Sequence, residues 1–260
     1  MVMPWIDLEG AANVRDLGGL PTVDGGQTAR GRLLRADNLQ ELTPSDVAAL
    51  VRDIGVSTVV DLRSSNELKS EGPAPLDAVE GVRHAHHPVL PDRGTNTDMI
   101  AAALLTKAEQ DRSRYPADPV CGHYLGYLED RPDQVAAALR SIAHAEGAAI
   151  VHCAAGKDRT GVLVALALTV AGVTPQAVVA DYAVTAERSD AIVARLLRSP
   201  TYAKDIASKP AEAHRPRAET MAAFLEQMDA RYGGTQRWLT DHDVSDEDLR
   251  LLRVKLRAGA

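Results

Sequence analysis

The segment His152-Cys153-Ala154-Ala155-Gly156-Lys157-Asp158-Arg159-Thr160-Gly161 decides the reading of this chain. Before it, Ala148–His152 has the composition of a short buried strand; after it, Thr160–Gly172 reads as an apolar helix. The ten residues therefore turn a strand into a helix. A cysteine, five residues and an arginine make a loop that can fold around a tetrahedral dianion. Its backbone N–H groups then converge on the oxygens, and the helix N-terminus adds positive potential. Arg159 offers a planar fork for two of those oxygens. Cys153 sits where the same dipoles meet, which favours its thiolate form. Gly156 permits the tight turn and Gly161 a close approach of the helix to the sheet.

Outward from this unit, Val56–Leu62 is a β-branched run expected as a buried parallel strand, and Val82–Val89 as another. Residues 17–36 read as a hairpin turned at Asp24-Gly25-Gly26. Thr43-Pro44-Ser45-Asp46 starts a helix that Gly55 ends. Residues 95–130 read as mixed helical insertions, followed by an Ala-rich helix over Pro132–Ala145. From Thr174 onward the pattern is helical, punctuated at Pro200, Pro210, Pro216 and Gly233-Gly234. Strands alternate with helices and then helices run alone. The expected fold is α/β, with a central, mostly parallel twisted sheet flanked by helices and a helical C-terminal portion. No repeat or linker divides it, so residues 1–260 are expected as a single catalytic domain. Within it, 184–215 would form a helical cover and 216–260 helices that pack on the core.

Composition narrows the function. The 260 residues carry 29 basic and 36 acidic side chains, a formal net charge of −7, which argues against nucleic acid as a partner. Aromatic residues make up 3 % of the chain, too few for a base-stacking platform. Two cysteines fit a reduced compartment rather than a disulfide scaffold. The apolar stretch from Gly161 to Val173 is too short to span a bilayer, and the N-terminus lacks the pattern of a signal peptide. A soluble cytoplasmic protein without an integral membrane segment is the expectation. Export by an unconventional route leaves no mark in a sequence.

The loop resembles that of the cysteine-dependent phosphatases. Asn13-Val14-Arg15-Asp16-Leu17-Gly18-Gly19, Leu34-Arg35-Ala36-Asp37, Val60-Asp61-Leu62-Arg63-Ser64 and Gly156-Lys157-Asp158-Arg159-Thr160-Gly161, in that order, resemble the bacterial tyrosine/serine protein phosphatase family. The likeness covers most of residues 11–185, and Tyr232-Gly233-Gly234 with Trp238-Leu239 adds to it. It implies phosphomonoester hydrolysis through a phosphocysteine on Cys153, with no metal and no cofactor. Ala154, Ala155, Gly156, Lys157, Asp158 and Arg159 would bind phosphate, with Arg63 adding charge. The Thr160 hydroxyl would help the sulfur leave. Phosphotyrosine proteins are the implied substrates, with phosphoserine and phosphothreonine in a dual-specificity enzyme. The Lys157-Asp158-Arg159 run resembles loops that also accept phosphoinositides. A catalytically silent phosphate-binding module, a primarily lipid phosphatase and a thiol enzyme of the sulfurtransferase or arsenate reductase kind are the alternatives.

Three carboxylates compete as general acid. Asp92, in Pro88-Val89-Leu90-Pro91-Asp92, follows the carboxyl end of a strand and resembles the family's Pro-Asp acid loop, although Leu90 stands where an aromatic is expected. Asp158 lies within the loop beside Lys157, and Asp61 ends a strand beside Arg63. Asp92 is the first choice. Cys121 reads as a core thiol, and the Asn13–Gly19 segment as structural. His152 reads as a support beneath the loop. Strand alternation sets His87 opposite His84 and His86, so these three read as ordinary strand histidines. The stripe of Ile192, Val193, Leu196 and Leu197 beside Arg188, Arg195 and Arg198 marks the helix of the cover.

Overall fold

The computed structural model describes residues 5–90, 118–208 and 210–259. One sheet has the strand order β1-β2-β5-β3-β4, where β1 is Arg15–Asp16, β2 Leu33–Ala36, β3 Val56–Asp61, β4 Arg83–His86 and β5 Ala148–His152. Only β1 runs antiparallel to its neighbour. Along the central strands successive side chains enter opposite cores: Leu33, Val60, Ala149 and Val151 on one side, Leu34, Val59, Ala148 and Ile150 on the other. Two buried faces explain why these strands read as unbroken apolar runs.

Helices α1 Pro44–Ala48 and α2 Ser65–Glu71 precede β4. Between β4 and β5 lie α3 Pro119–Asp130 and α4 Pro132–Ala143, and α5 Asp158–Val170 follows β5. The C-terminal portion is helical: α6 Pro175–Val184, α7 Ser189–Leu196, α8 Ala203–Ala207, α9 Ala218–Tyr232, α10 Thr235–Thr240 and α11 Asp246–Leu256. Among the described residues no helix is long and apolar enough to cross a membrane. The Thr43 start is a full capping box with Asp46, and the helix ends in a π-helical turn, Ala49–Asp53, before Gly55 at φ 82°. Several details differ from expectation. The fourth strand spans four residues, Arg83–His86, and the side chains of His86 and His87 bond to the Arg63 carbonyl and Ser141. Gly161 serves a helix contact rather than a sheet contact: a Cβ there would lie 2.9 Å from the Tyr182 ring.

Register places the site. Ala36, Asp61 and His86 all align with the carboxyl end of β5, where His152 pairs with both Ala36 and Asp61. Asp37, Arg63 and Cys153 therefore emerge side by side at the edge where parallel sheets hold ligands.

A buried ion cluster joins this edge to the helical portion. Arg15 Nε donates to Asp181 Oδ1 at 2.8 Å, and Arg35 Nη1 to Asp181 Oδ2 at 2.6 Å. All three side chains are buried. Burial, then the Arg35 charge, lowers the Arg15 guanidinium to about 10, so it stays protonated at neutral pH. Burial pushes the Asp181 carboxyl up, but the two guanidinium groups outweigh it and hold it below the ordinary range. The stabilisation from Asp181 is therefore complete above the usual carboxylate pKa and is lost as pH falls through the lowered one. Asp181→Asn should destabilise the fold by about 3–5 kcal/mol in urea unfolding, because it strands two buried charges. A loss under about 1 kcal/mol would show that water screens the cluster.

Candidate active site

The loop from Cys153 to Arg159 is held from outside by its carbonyls. Asn13 Nδ2 donates to the Ala155 and Gly156 carbonyls at 3.0 and 3.1 Å, and Arg35 Nη2 to the Gly156 carbonyl at 2.7 Å. Asn13 is itself oriented by Arg15, whose Nη1 lies 2.6 Å from its Oδ1. In a trans peptide C=O and N–H point opposite ways. Tying the carbonyls outward thus turns the loop amides inward. Gly156 takes φ 64°, and a Cβ there would stand 2.2 Å from the Ala36 carbonyl oxygen, so only glycine fits. No side chain caps the first turn of α5 at Lys157, which leaves its amides available to an anion.

Arg159 and Cys153 are each 2 % exposed. The Arg159 fork meets Glu67 through Nη1–Oε2 at 2.6 Å and Nη2–Oε1 at 2.8 Å. Glu67 sits in the first turn of α2, where it also closes a capping box with Ser64. Burial pushes its carboxyl up, but the charge and hydrogen bonds of Arg159 hold it below its usual value. Sequence reasoning missed both the helix and this carboxylate. The signal was present as Ser64-x-x-Glu67, a capping box directly after Arg63.

The other expected residues fall into distinct places. Asp158 is anchored by the Tyr124 hydroxyl, which also meets the Tyr182 hydroxyl at 2.6 Å. Burial pushes the Asp158 carboxyl up, yet the Lys157 charge and the Tyr124 hydrogen bond outweigh it and keep it ionised. Lys157 Nζ donates to the His214 carbonyl at 3.0 Å and lies 3.4 Å from Asp158. The Thr160 hydroxyl is buried with no partner among the described residues. Arg63 is buried rather than open to the site: Nη2 meets Asp61 Oδ2 at 2.6 Å and Nη1 meets Gln40 at 2.8 Å. Asp92 lies outside the described residues. Cys121 is buried in the core, where burial pushes its thiol up to about 12, as suits an inert side chain. His152 lies beneath the loop with Nδ1 3.2 Å from the Cys153 carbonyl. Its Nε2 converges with His84 Nε2 on Asp61, the group of described residues best placed to hold a metal ion.

Above the loop, Ala154 packs with Ile192, Leu196 and Tyr202 in a small apolar cluster of its own. Arg195 of α7 pairs with Asp37 and donates to the Asn38 carbonyl, and Arg198 meets Glu41 at 2.8 Å.

The sequence pattern of the tyrosine phosphatase family matches residues 6–258. The chain belongs to that family. It is 28 % identical over 236 residues to a tyrosine-protein phosphatase of Nostoc commune, covering 86 % of this chain and 73 % of that one. It is 27 % identical over 272 aligned positions to the triple specificity protein phosphatase PtpB of Mycobacterium tuberculosis, covering 95 % and 97 %. The protein is thus a phosphatase hydrolase with phosphoproteins as its substrate class.

Glu67→Gln tests the anchoring of Arg159 in this phosphatase. A hydrogen bond to a charged group contributes about 1.5–3 kcal/mol, so kcat should fall about 10- to 100-fold if Arg159 loses its orientation. An unchanged kcat would show that the loop alone orients the guanidinium.

Proposed function

We propose that this phosphatase hydrolyses phosphotyrosine proteins through a phosphocysteine on Cys153, without a metal, and that phosphoserine, phosphothreonine and phosphoinositide esters are further substrates. The observation that supports this best is the loop itself, with carbonyls tied outward by Asn13 and Arg35 and a guanidinium fork at its end. The Cys153 sulfur attacks phosphorus in line as the P–O bond to the leaving group breaks. Loop amides of Ala154 to Arg159 and the guanidinium of Arg159, oriented by Glu67, hold the three equatorial oxygens. The leaving oxygen takes a proton from an acid. Asp158 and Asp61 are both kept ionised by cationic or hydroxyl partners, which disfavours them as proton donors and leaves Asp92 as the proposed acid. Water then attacks phosphorus with Asp92 as base, and the P–S bond breaks. The buried, unpartnered Thr160 hydroxyl suits a donor to the departing sulfur.

Turnover of phosphopeptides and phosphoinositides with a chelator present tests this reading. Cys153→Ser should abolish it while phosphate still binds, and Arg159→Lys should lose most of it, since a point charge cannot reproduce the fork. Asp92→Asn should lower kcat about 10²–10⁴-fold for phenyl or alkyl esters, and by less for a leaving group that needs no proton. Cys153→Ser activity within a few-fold of the parent would refute the mechanism, and an equal loss on both ester types would move the acid away from Asp92. A silent phosphate-binding module would show binding without turnover in the parent itself.

Residues 184–215 serve in this reading as a mobile cover. The near-complete burial of Cys153 supports it, because substrate must displace something to reach the sulfur. So does the packing of Ile192, Leu196 and Tyr202 on Ala154. The Arg195–Asp37 pair would latch it shut. Joint replacement of Ile192 and Leu196 by Ser should speed peroxide inactivation of Cys153. Unchanged peroxide sensitivity and KM in the folded variant would reduce the segment to packing.

A further inference from the structure

We infer that Asp61, His84 and His152 form a binding site for a divalent cation of the zinc class, behind the nucleophile and separate from the chemistry. One donor atom from each of Asp61, His84 and His152 lies within 4.8 Å of the other two. Each imidazole nitrogen stands 3.5 Å from the same carboxylate oxygen. Tetrahedral zinc with ligand distances of about 2.0–2.1 Å sets neighbouring donors roughly 3.3 Å apart, close to the 3.5 Å between each imidazole and the carboxylate oxygen.

Proton counting points the same way. His152 Nδ1 faces the Cys153 carbonyl, an acceptor, and Nε2 faces Asp61, another acceptor. A neutral imidazole carries one N–H and cannot satisfy both. With the proton on Nδ1 for the carbonyl, the Nε2 lone pair looks straight at a carboxylate. A cation resolves that confrontation.

The surroundings meet the further demands of such a site. The second nitrogen of His84 lies 3.7 Å from Asp77 Oδ1, and that of His152 lies beside a carbonyl; both arrangements orient a ligating imidazole. Arg63 grips Asp61 through Nε and Nη2 and fixes the carboxylate, so an ion would share Oδ2 with the guanidinium. His84 also lines an open cavity of about 450 Å³ with His86 and Asp77, which gives a hydrated ion a way in. Two imidazoles and one carboxylate with an open fourth position select a borderline-soft ion such as Zn²⁺ over Mg²⁺ or Ca²⁺.

Occupancy makes Asp61 share its carboxylate between the ion and Arg63, and it pulls on His152, the residue before Cys153. Zn²⁺ should therefore inhibit reversibly, and a chelator should restore turnover.

The binding test does not depend on the reaction mechanism. Zn²⁺ is titrated by calorimetry into the full chain, into His84→Ala and into Cys153→Ser, each checked for folding by thermal unfolding. One ion per chain is expected in the parent and in Cys153→Ser, with affinity weakened tenfold or more in His84→Ala. Co²⁺ in the parent should give the visible absorption of a four-coordinate ion, absent from His84→Ala. Half-inhibition of turnover should need at least ten times more Zn²⁺ in His84→Ala. Absence of binding to the parent, unchanged affinity in His84→Ala, or loss of the ion in Cys153→Ser would overturn the assignment.

Discussion

Asp181, gripped by two buried guanidinium groups, is the interaction on which the site depends. Its partners do more than neutralise it: Arg35 continues to the Gly156 carbonyl and Arg15 to Asn13, which holds the same loop. One carboxylate on a C-terminal helix thus fixes two strands of the sheet and, through them, the outward carbonyls of the Cys153–Arg159 loop. Two positive charges against one negative also leave the region behind the loop electropositive. That field favours a dianion in a protein whose overall charge is negative.

A second constraint comes from the parallel register. Ala36, Asp61, His86 and His152 end their strands together, so the residues after them converge without long connections. From this edge the chain builds two carboxylate–guanidinium pairs of different use. Asp61 holds the buried Arg63. Glu67 holds Arg159 by its fork at the end of the loop. Both pairs are buried, and their worth lies in fixed geometry more than in net stability.

Much of this was legible in the sequence. Ala148–His152 stands as read and the helix behind the loop exists, shifted two residues earlier to Asp158–Val170, because an apolar run and a Cys-x5-Arg turn are local signals. The hidden part is the set of buried arginines. Arg15 and Arg35 look in one dimension like surface residues, and their carboxylate, Asp181, lies far away in the chain; Arg63 read as charge for the site, and its burial did not show. Asn13 read as structural; it is structural in a way that shapes the site. Helix Ser65–Glu71 escaped because it is short and polar, although its capping box was visible. Asp46, by contrast, was found by the same kind of signal.

The central claim is that the loop presents Cys153 as a nucleophile to phosphorus. Acid-quenching the parent enzyme within one turnover of a phosphotyrosine peptide, followed by mass spectrometry of the peptide that carries Cys153, tests it most directly. The account predicts a phosphoryl group on Cys153 in the parent, prolonged when hydrolysis is slowed and absent in Cys153→Ser. Single-turnover product release with no label on Cys153 at any time, or label on another residue, would contradict it.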